Sequence, residues 1–133
     1  MLITALYAGL MAIVVPFMIV KIARLRTLHK VSRGDGEVEE LSRFIRAHAN
    51  FIETVPLALI LMAIMETQNF SIYVLHLMGI ALIISRLCHW IGMTTGSGYG
   101  RMRMIGMILV MALYLLAGLA LIWLFLSWTL FSL

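Results

Sequence analysis

Four long apolar runs, separated by short polar connections, organise this chain of 133 residues. The first run, residues 2–20, carries no charge. As a helix it would be about 28 Å long, close to the hydrocarbon thickness of a bilayer. The pattern predicts one all-α domain over residues 1–133, with helices at about 2–32, 38–66, 70–93 and 101–131.

The connections carry turn chemistry. The most polar stretch is 30–40, and Gly34-Asp35-Gly36 at its centre favours a turn. A short connection follows at 67–69, and a glycine-rich loop is predicted at 94–100. Three glycines are expected to let helices approach closely: Gly79, Gly92 and Gly118.

Composition identifies the solvent of this domain. Hydrophobic residues make up 63% of the chain and charged residues 12%, whereas a soluble domain carries about 25% charged residues. Most of the chain is therefore expected in lipid, as an integral, multi-pass membrane protein. Its one cysteine, Cys88, excludes an intrachain disulfide. Cys88 and His89 would point in different directions, so no metal site is predicted.

The net charge of +4 reflects membrane orientation. All ten Lys and Arg residues lie between Lys21 and Arg103, on the first connection, the third connection or the adjoining helix ends. The positive-inside rule places those two connections in the cytoplasm and both termini on the non-cytoplasmic side. Orientation explains the basic residues better than binding to nucleic acid does.

The second helix carries a polar stripe inside its predicted membrane span. Arg43, Arg46, Asn50 and Glu53 are spaced three, four and three residues apart, within an arc of about 80°. Charges at such positions need partners. Two interpretations are equally compatible with the composition: an internal salt-bridge network that fixes packing, or a site for a ligand with carboxylate and ammonium groups.

Further arginines favour the ligand. Arg86, Arg101 and Arg103 add positive charge at the same predicted depth, with too few acids to neutralise it. Such an excess at the mouth of a helix bundle attracts anions. Positive-inside topology alone explains part of the same pattern.

The segment RFIRAHANFIETVP, at residues 43–56, resembles the signature of the MAPEG family, the membrane-associated proteins in eicosanoid and glutathione metabolism. The four-helix layout agrees along the whole chain. The short loops and the Gly-Asp-Gly turn are similar to the small bacterial branch, which implies a bacterial inner membrane.

The resemblance implies a homotrimer of left-handed four-helix bundles that bind glutathione, as co-substrate, near the cytoplasmic face between subunits. Expected partners are therefore a second and third copy, membrane lipid, glutathione and lipophilic small molecules. The residues that match family contacts to glutathione, or are candidates for such contacts, are Arg46, Asn50, Glu53, Arg43, Arg86, Arg26 and His89. Arg103 or Arg101 would activate the thiol. His89 and Met93 stand where several members have tyrosines.

Three functions follow as hypotheses. The first is a glutathione-dependent transferase or peroxidase that acts on lipophilic electrophiles or hydroperoxides. The second is a non-catalytic trimeric scaffold or binding protein, suggested by His89 and Met93. The third is a small anion transporter, which the arginines suggest but the apolar third and fourth helices disfavour.

Overall fold

A computed structural model describes residues 1–95 and 100–131, and these residues form four helices and no strand. Most of the predicted loop at 94–100 lies outside the described residues. The helices agree with the predicted positions to within three residues at each end: α1 is Leu2–His29, α2 is Glu39–Thr67, α3 is Ile72–Thr94 and α4 is Arg101–Phe131.

Left-handed backbone sets two of these ends. α1 stops at His29 because Lys30 adopts φ 55° and ψ 35°, and the Lys30 and Val31 N–H groups then bond to carbonyls of the last turn. Asn69, at φ 58°, similarly separates α2 from α3. α1 runs through Pro16 as one continuous helix, as membrane helices tolerate.

Each helix is long and apolar enough to cross a bilayer, and large apolar side chains cover the outside of the bundle. In water this surface would be strongly unfavourable, whereas in lipid it is the expected exterior. The fold is therefore a four-helix membrane bundle, as the apolar pattern predicted.

α2 and α3 form the centre of the bundle. α1 packs on α2 and α3 along one side, α4 packs on the same two helices along the other, and α1 and α4 do not touch among the described residues. The core is continuous through the membrane. It is formed around Phe44 at one end, around Phe51 and Leu82 at mid-depth, and around Met65 and Leu75 at the other end.

Glycines lie where helices approach each other most closely, but only two of the three glycines predicted for this role have it. A Cβ on Gly79 would overlap the Tyr7 ring, and one on Gly92 would overlap the Arg103 backbone, which confirms both predictions. The prediction for Gly118 is wrong, because nothing lies within 4 Å of a Cβ placed there. Gly106 takes that role on α4: a Cβ there would lie 2.6 Å from the Ser85 carbonyl oxygen.

Polar contacts at the end of the bundle that holds Met1 fasten α1 to its neighbours. The Glu66 carboxylate accepts hydrogen bonds from the Ile3 and Thr4 N–H groups, at 3.0 and 2.9 Å. A carboxylate at a helix N-terminus satisfies free N–H groups and complements the helix dipole. Tyr7 donates to the carbonyl oxygen of His76 at 3.2 Å, and its hydroxyl lies 3.0 Å from His76 Nδ1.

The turn between α1 and α2 is held by Asp35. Its carboxylate accepts a hydrogen bond from the Glu37 N–H at 3.2 Å. The nearby Ser42 side chain and the Glu37 N–H favour the charged form and lower the pKa of Asp35. The predicted Gly-Asp-Gly turn is present, with Gly34 and Gly36 both at positive φ.

Candidate functional site

An open polar groove lies between α2, α3 and α4, toward the end of the bundle that holds the first and third connections. Its volume is about 480 Å³. Charged, polar and thioether side chains line it, together with one alanine. The lining residues are Arg46, Ala49, Asn50, Glu53, His89, Met93, Arg103 and Met107.

α2 supplies the polar wall. Arg46, Asn50 and Glu53 share one face because they are spaced four and three residues apart, and they descend about 10 Å along the helix axis. Arg43, the first residue of the predicted stripe, does not line the groove. Its guanidinium instead forms an ion pair with Glu39, one turn earlier on the same helix.

The charges that line the groove are not paired with one another. Arg46, Glu53 and Arg103 are all exposed, and none of them forms a salt bridge within residues 1–95 and 100–131. The closed salt-bridge network that the stripe also allowed is therefore not formed in this part of the chain. Unpaired charges inside a membrane span are costly, and they indicate that something polar covers them.

α3 and α4 supply the opposite wall. His89 is buried and lines the groove with Met93, so both residues that the resemblance singled out face the candidate site. Arg103 lies at the mouth, where its Nη1 is 3.8 Å from the Met93 sulfur. Arg101, two residues earlier, is exposed and does not line the groove.

Arg86 lies behind the groove rather than in it. Its side chain is buried, and all of its hydrogen bonds go to neutral acceptors. Nη1 donates to Asn50 Oδ1 at 2.8 Å and to Thr54 Oγ1 at 2.6 Å. Nη2 donates to Ser85 Oγ at 2.7 Å and to the Gly106 carbonyl oxygen at 3.3 Å. Arg86 thus links α2, α3 and α4, and no carboxylate forms a salt bridge with it among the described residues.

Three hydroxyl residues complete this buried network. Thr54 donates to the Asn50 carbonyl oxygen at 2.6 Å, Tyr114 donates to the Thr54 carbonyl oxygen at 2.5 Å, and Ser85 donates to the Gly106 carbonyl oxygen at 2.6 Å. These three residues were not among the site residues predicted from the sequence. The available signal was that Thr54 lies one turn after Asn50 and Ser85 directly precedes Arg86.

Arg26 lies on α1 and does not line the groove. Its Nη1 atom is buried and has no hydrogen-bond partner among the described residues. The structure therefore brings together Arg46, Asn50, Glu53, His89 and Arg103, with Arg86 directly behind Asn50. It does not bring Arg26, Arg43 or Arg101 to the same groove.

An apolar cavity of about 250 Å³ lies on the other side of Arg86, between α1 and α3. Its walls include Met11, Phe17, Phe51 and Trp90. Arg86 therefore borders the apolar cavity and also bonds to Asn50, which lines the polar groove.

Comparison with known proteins agrees with this architecture. Two curated relatives, both named inner membrane protein YecN and from Escherichia coli strains K12 and O6:H1 (CFT073), are each 37% identical over 91 residues. That region covers 68% of this chain and 70% of each relative. No solved structure gives a significant match. The model of the MAPEG family matches residues 4–125, which include all the groove residues, and the chain therefore belongs to the MAPEG family.

Proposed function

We propose that this protein binds glutathione in the polar groove and joins it, through its sulfur atom, to lipophilic electrophiles, or uses it to reduce lipid hydroperoxides. One observation carries the proposal. Two arginines and a glutamate border a groove of about 480 Å³ inside a membrane bundle without pairing with one another. Small-molecule sites typically have volumes of about 300–1,000 Å³.

The groups on the walls suit glutathione, which has two carboxylates, an ammonium group and a thiol. Arg46 can bind a carboxylate through two parallel N–H groups, and Glu53 can accept hydrogen bonds from the ammonium group. Asn50 can bond to the peptide backbone of the ligand. The groove walls carry more positive than negative charge, which favours a ligand with a net negative charge.

Arg103 is the cation proposed to activate the thiol. A free thiol has a pKa of about 8.5, and a nearby cation lowers it because the thiolate is favoured. The thiolate sulfur then forms a bond to the electrophilic carbon as the leaving group departs with its electron pair, and the thiol proton goes to solvent. Arg103 lines the groove and Arg101 does not, so Arg103 is the stronger candidate.

Exposed charges on a lipid-facing surface support a homotrimer. Arg46 and Glu53 would face lipid if the protein were a single bundle. α1 and α4 lie on opposite sides of the bundle and do not contact each other among the described residues. A neighbouring copy placed over the groove would remove these charges from lipid and could present Arg26 of its own α1. Mass measurement of the detergent-solubilised protein should give three chains, and a monomer that binds glutathione fully would contradict this assembly.

The relatives' name supports the bacterial inner membrane as the location, and the distribution of basic residues supports non-cytoplasmic termini. Alkaline phosphatase fused after residue 133 should be active, whereas the same reporter inserted at Gly34 should be inactive. The opposite pattern would reverse the proposed orientation.

The main experiment measures glutathione binding by calorimetry and turnover with chlorodinitrobenzene. Arg46→Ala should weaken binding roughly ten- to a hundredfold, because a charge-assisted hydrogen bond is lost. Arg103→Ala should lower kcat and raise the pKa of bound thiol, with a smaller effect on binding. Arg101→Ala is the matched control, since it removes an exposed arginine outside the groove. A wild-type protein that neither binds glutathione nor turns over would refute the proposal.

A non-catalytic binding protein is the second candidate, and the observation that favours it is the pair of groove residues His89 and Met93. Neither offers the phenol hydroxyl found in several family members. Glutathione binding without turnover across a panel of electrophiles and hydroperoxides would support it. Robust turnover by the wild-type protein would eliminate it.

A further inference from the structure

The hydrogen bond from Arg86 to Asn50 determines which end of the Asn50 amide faces a ligand in the groove. Arginine has five N–H donors and no acceptor. Arg86 Nη1 lies 2.8 Å from Asn50 Oδ1, so the amide oxygen faces the core. The opposite orientation would place two donors against each other and leave buried groups unsatisfied.

The other end of the amide reaches the groove. Asn50 Nδ2 lies 3.8 Å from the sulfur of Met107, and Asn50 and Met107 both line the groove. A thioether is a weak acceptor, and a ligand oxygen at this place would make a much stronger bond. The NH₂ group is therefore available as a donor.

The backbone and side chain of Asn50 are both held in place. Thr54 donates to the Asn50 carbonyl oxygen at 2.6 Å and itself accepts from Arg86 at 2.6 Å. Arg86 is anchored in turn by Ser85 and by the Gly106 carbonyl oxygen. These contacts join three helices, so the amide cannot turn without breaking a buried hydrogen bond.

We infer that Arg86 is a positioning residue, which turns the Asn50 amide so that its NH₂ group donates to an oxygen of the bound ligand. This inference rests on the proposed function for the ligand's identity, but the amide orientation itself does not depend on it. At this position the site accepts a carbonyl or carboxylate oxygen and rejects an N–H group. Arg46 and Arg103 also present N–H donors to the groove, and Glu53 is the one carboxylate on its described walls.

The test compares three variants for thermal stability and glutathione affinity. Asn50→Asp keeps an acceptor for Arg86 but has no donor for the groove, so it should melt no lower than wild type and bind glutathione roughly ten- to a hundredfold more weakly. Asn50→Leu should melt lower, because Arg86 loses its acceptor. Ala49→Asp is the charge-matched control: it adds a carboxylate to the groove wall next to Asn50 and keeps Asn50 with its bonds to Arg86 and Thr54.

Equal weakening in Asn50→Asp and Ala49→Asp would overturn the inference, since added negative charge alone would then explain the loss. Asn50→Asp that binds as well as wild type would also overturn it, because the ligand would then be donating to Asn50. Asn50→Asp that melts lower than Asn50→Leu would contradict the contact between Oδ1 and Arg86.

A measurement on the wild-type protein, first without and then with glutathione, covers the case in which a variant does not fold. In protein labelled with ¹⁵N at asparagine, the Asn50 NH₂ protons should exchange with water in the free protein and become protected when glutathione is added. Protection in the free protein would overturn the inference. Rapid exchange together with no binding of glutathione would support the amide orientation and refute the proposed function alone.

Discussion

Gly106 is a position on α4 where a single methyl group should disrupt the contact between α3 and α4. A Cβ there would lie 2.6 Å from the Ser85 carbonyl oxygen and 2.7 Å from the His89 backbone nitrogen. Both are backbone atoms of α3, so neither can move aside as a flexible side chain could. Gly106→Ala must therefore push α4 away from α3.

The size of the effect follows from what this displacement breaks. Overpacking in a tight core costs about 1–3 kcal/mol. The hydrogen bond from Ser85 to the Gly106 carbonyl oxygen, 2.6 Å long, contributes about 1 kcal/mol more. Gly118→Ala on the same helix is the matched control, because its Cβ meets nothing within 4 Å. Both variants share the gain in helix propensity, so Gly106→Ala should be less stable than Gly118→Ala by about 2–4 kcal/mol.

Equilibrium unfolding in mixed micelles, followed by circular dichroism, measures this difference. Because Gly106 is three residues after Arg103 on the same helix, Gly106→Ala should also weaken glutathione binding, whereas Gly118→Ala should not. Equal stability of the two variants would refute the close α3–α4 approach.

Three further changes test other contacts. Glu66→Gln should lower the melting temperature more than Gln68→Ala, since only the former weakens the bonds that hold the start of α1; equal effects would contradict that role. Tyr114→Phe should cost about 1 kcal/mol in unfolding experiments, through loss of the bond to the Thr54 carbonyl oxygen, and an unchanged stability would argue against that bond. The pKa of Asp35 is lowered in the folded protein. Ionised Asp35 therefore stabilises the fold at pH values above the ordinary pKa of an aspartate, about 3.9. The stability difference between wild type and Asp35→Asn should therefore be largest at neutral pH and shrink as the pH falls below that value, and a constant difference would refute the assignment.

Hydropathy predicted the helices because each apolar run is long enough to span a bilayer and each connection is clearly polar. It could not place the end of α1, because Lys30 adopts a left-handed conformation that its residue type does not signal. It also could not tell Gly106 from Gly118. Which glycine faces α3 depends on the rotation of α4 about its axis, and an almost uniformly apolar helix does not encode that rotation in its pattern.

The polar stripe was more predictable than its partners. Spacing alone puts Arg46, Asn50 and Glu53 on one face of α2, and the structure places all three on the groove. Arg86 was harder, because a lone arginine on an apolar helix can point either to a ligand or to the core. Its direction is set by acceptors on two other helices, Asn50 and the Gly106 carbonyl oxygen, which are distant in sequence.

The bonds of Arg86 also have a consequence for the order in which the chain enters the membrane. An arginine near the middle of an inserting helix costs about 2.5–3.5 kcal/mol, and two of its acceptors, Asn50 and Thr54, are synthesised before it and are already in α2. Insertion of α3 should therefore depend on the preceding helix. A fragment with α2 and α3 together should insert into membrane vesicles more completely than α3 alone, and Asn50→Leu should remove part of that advantage.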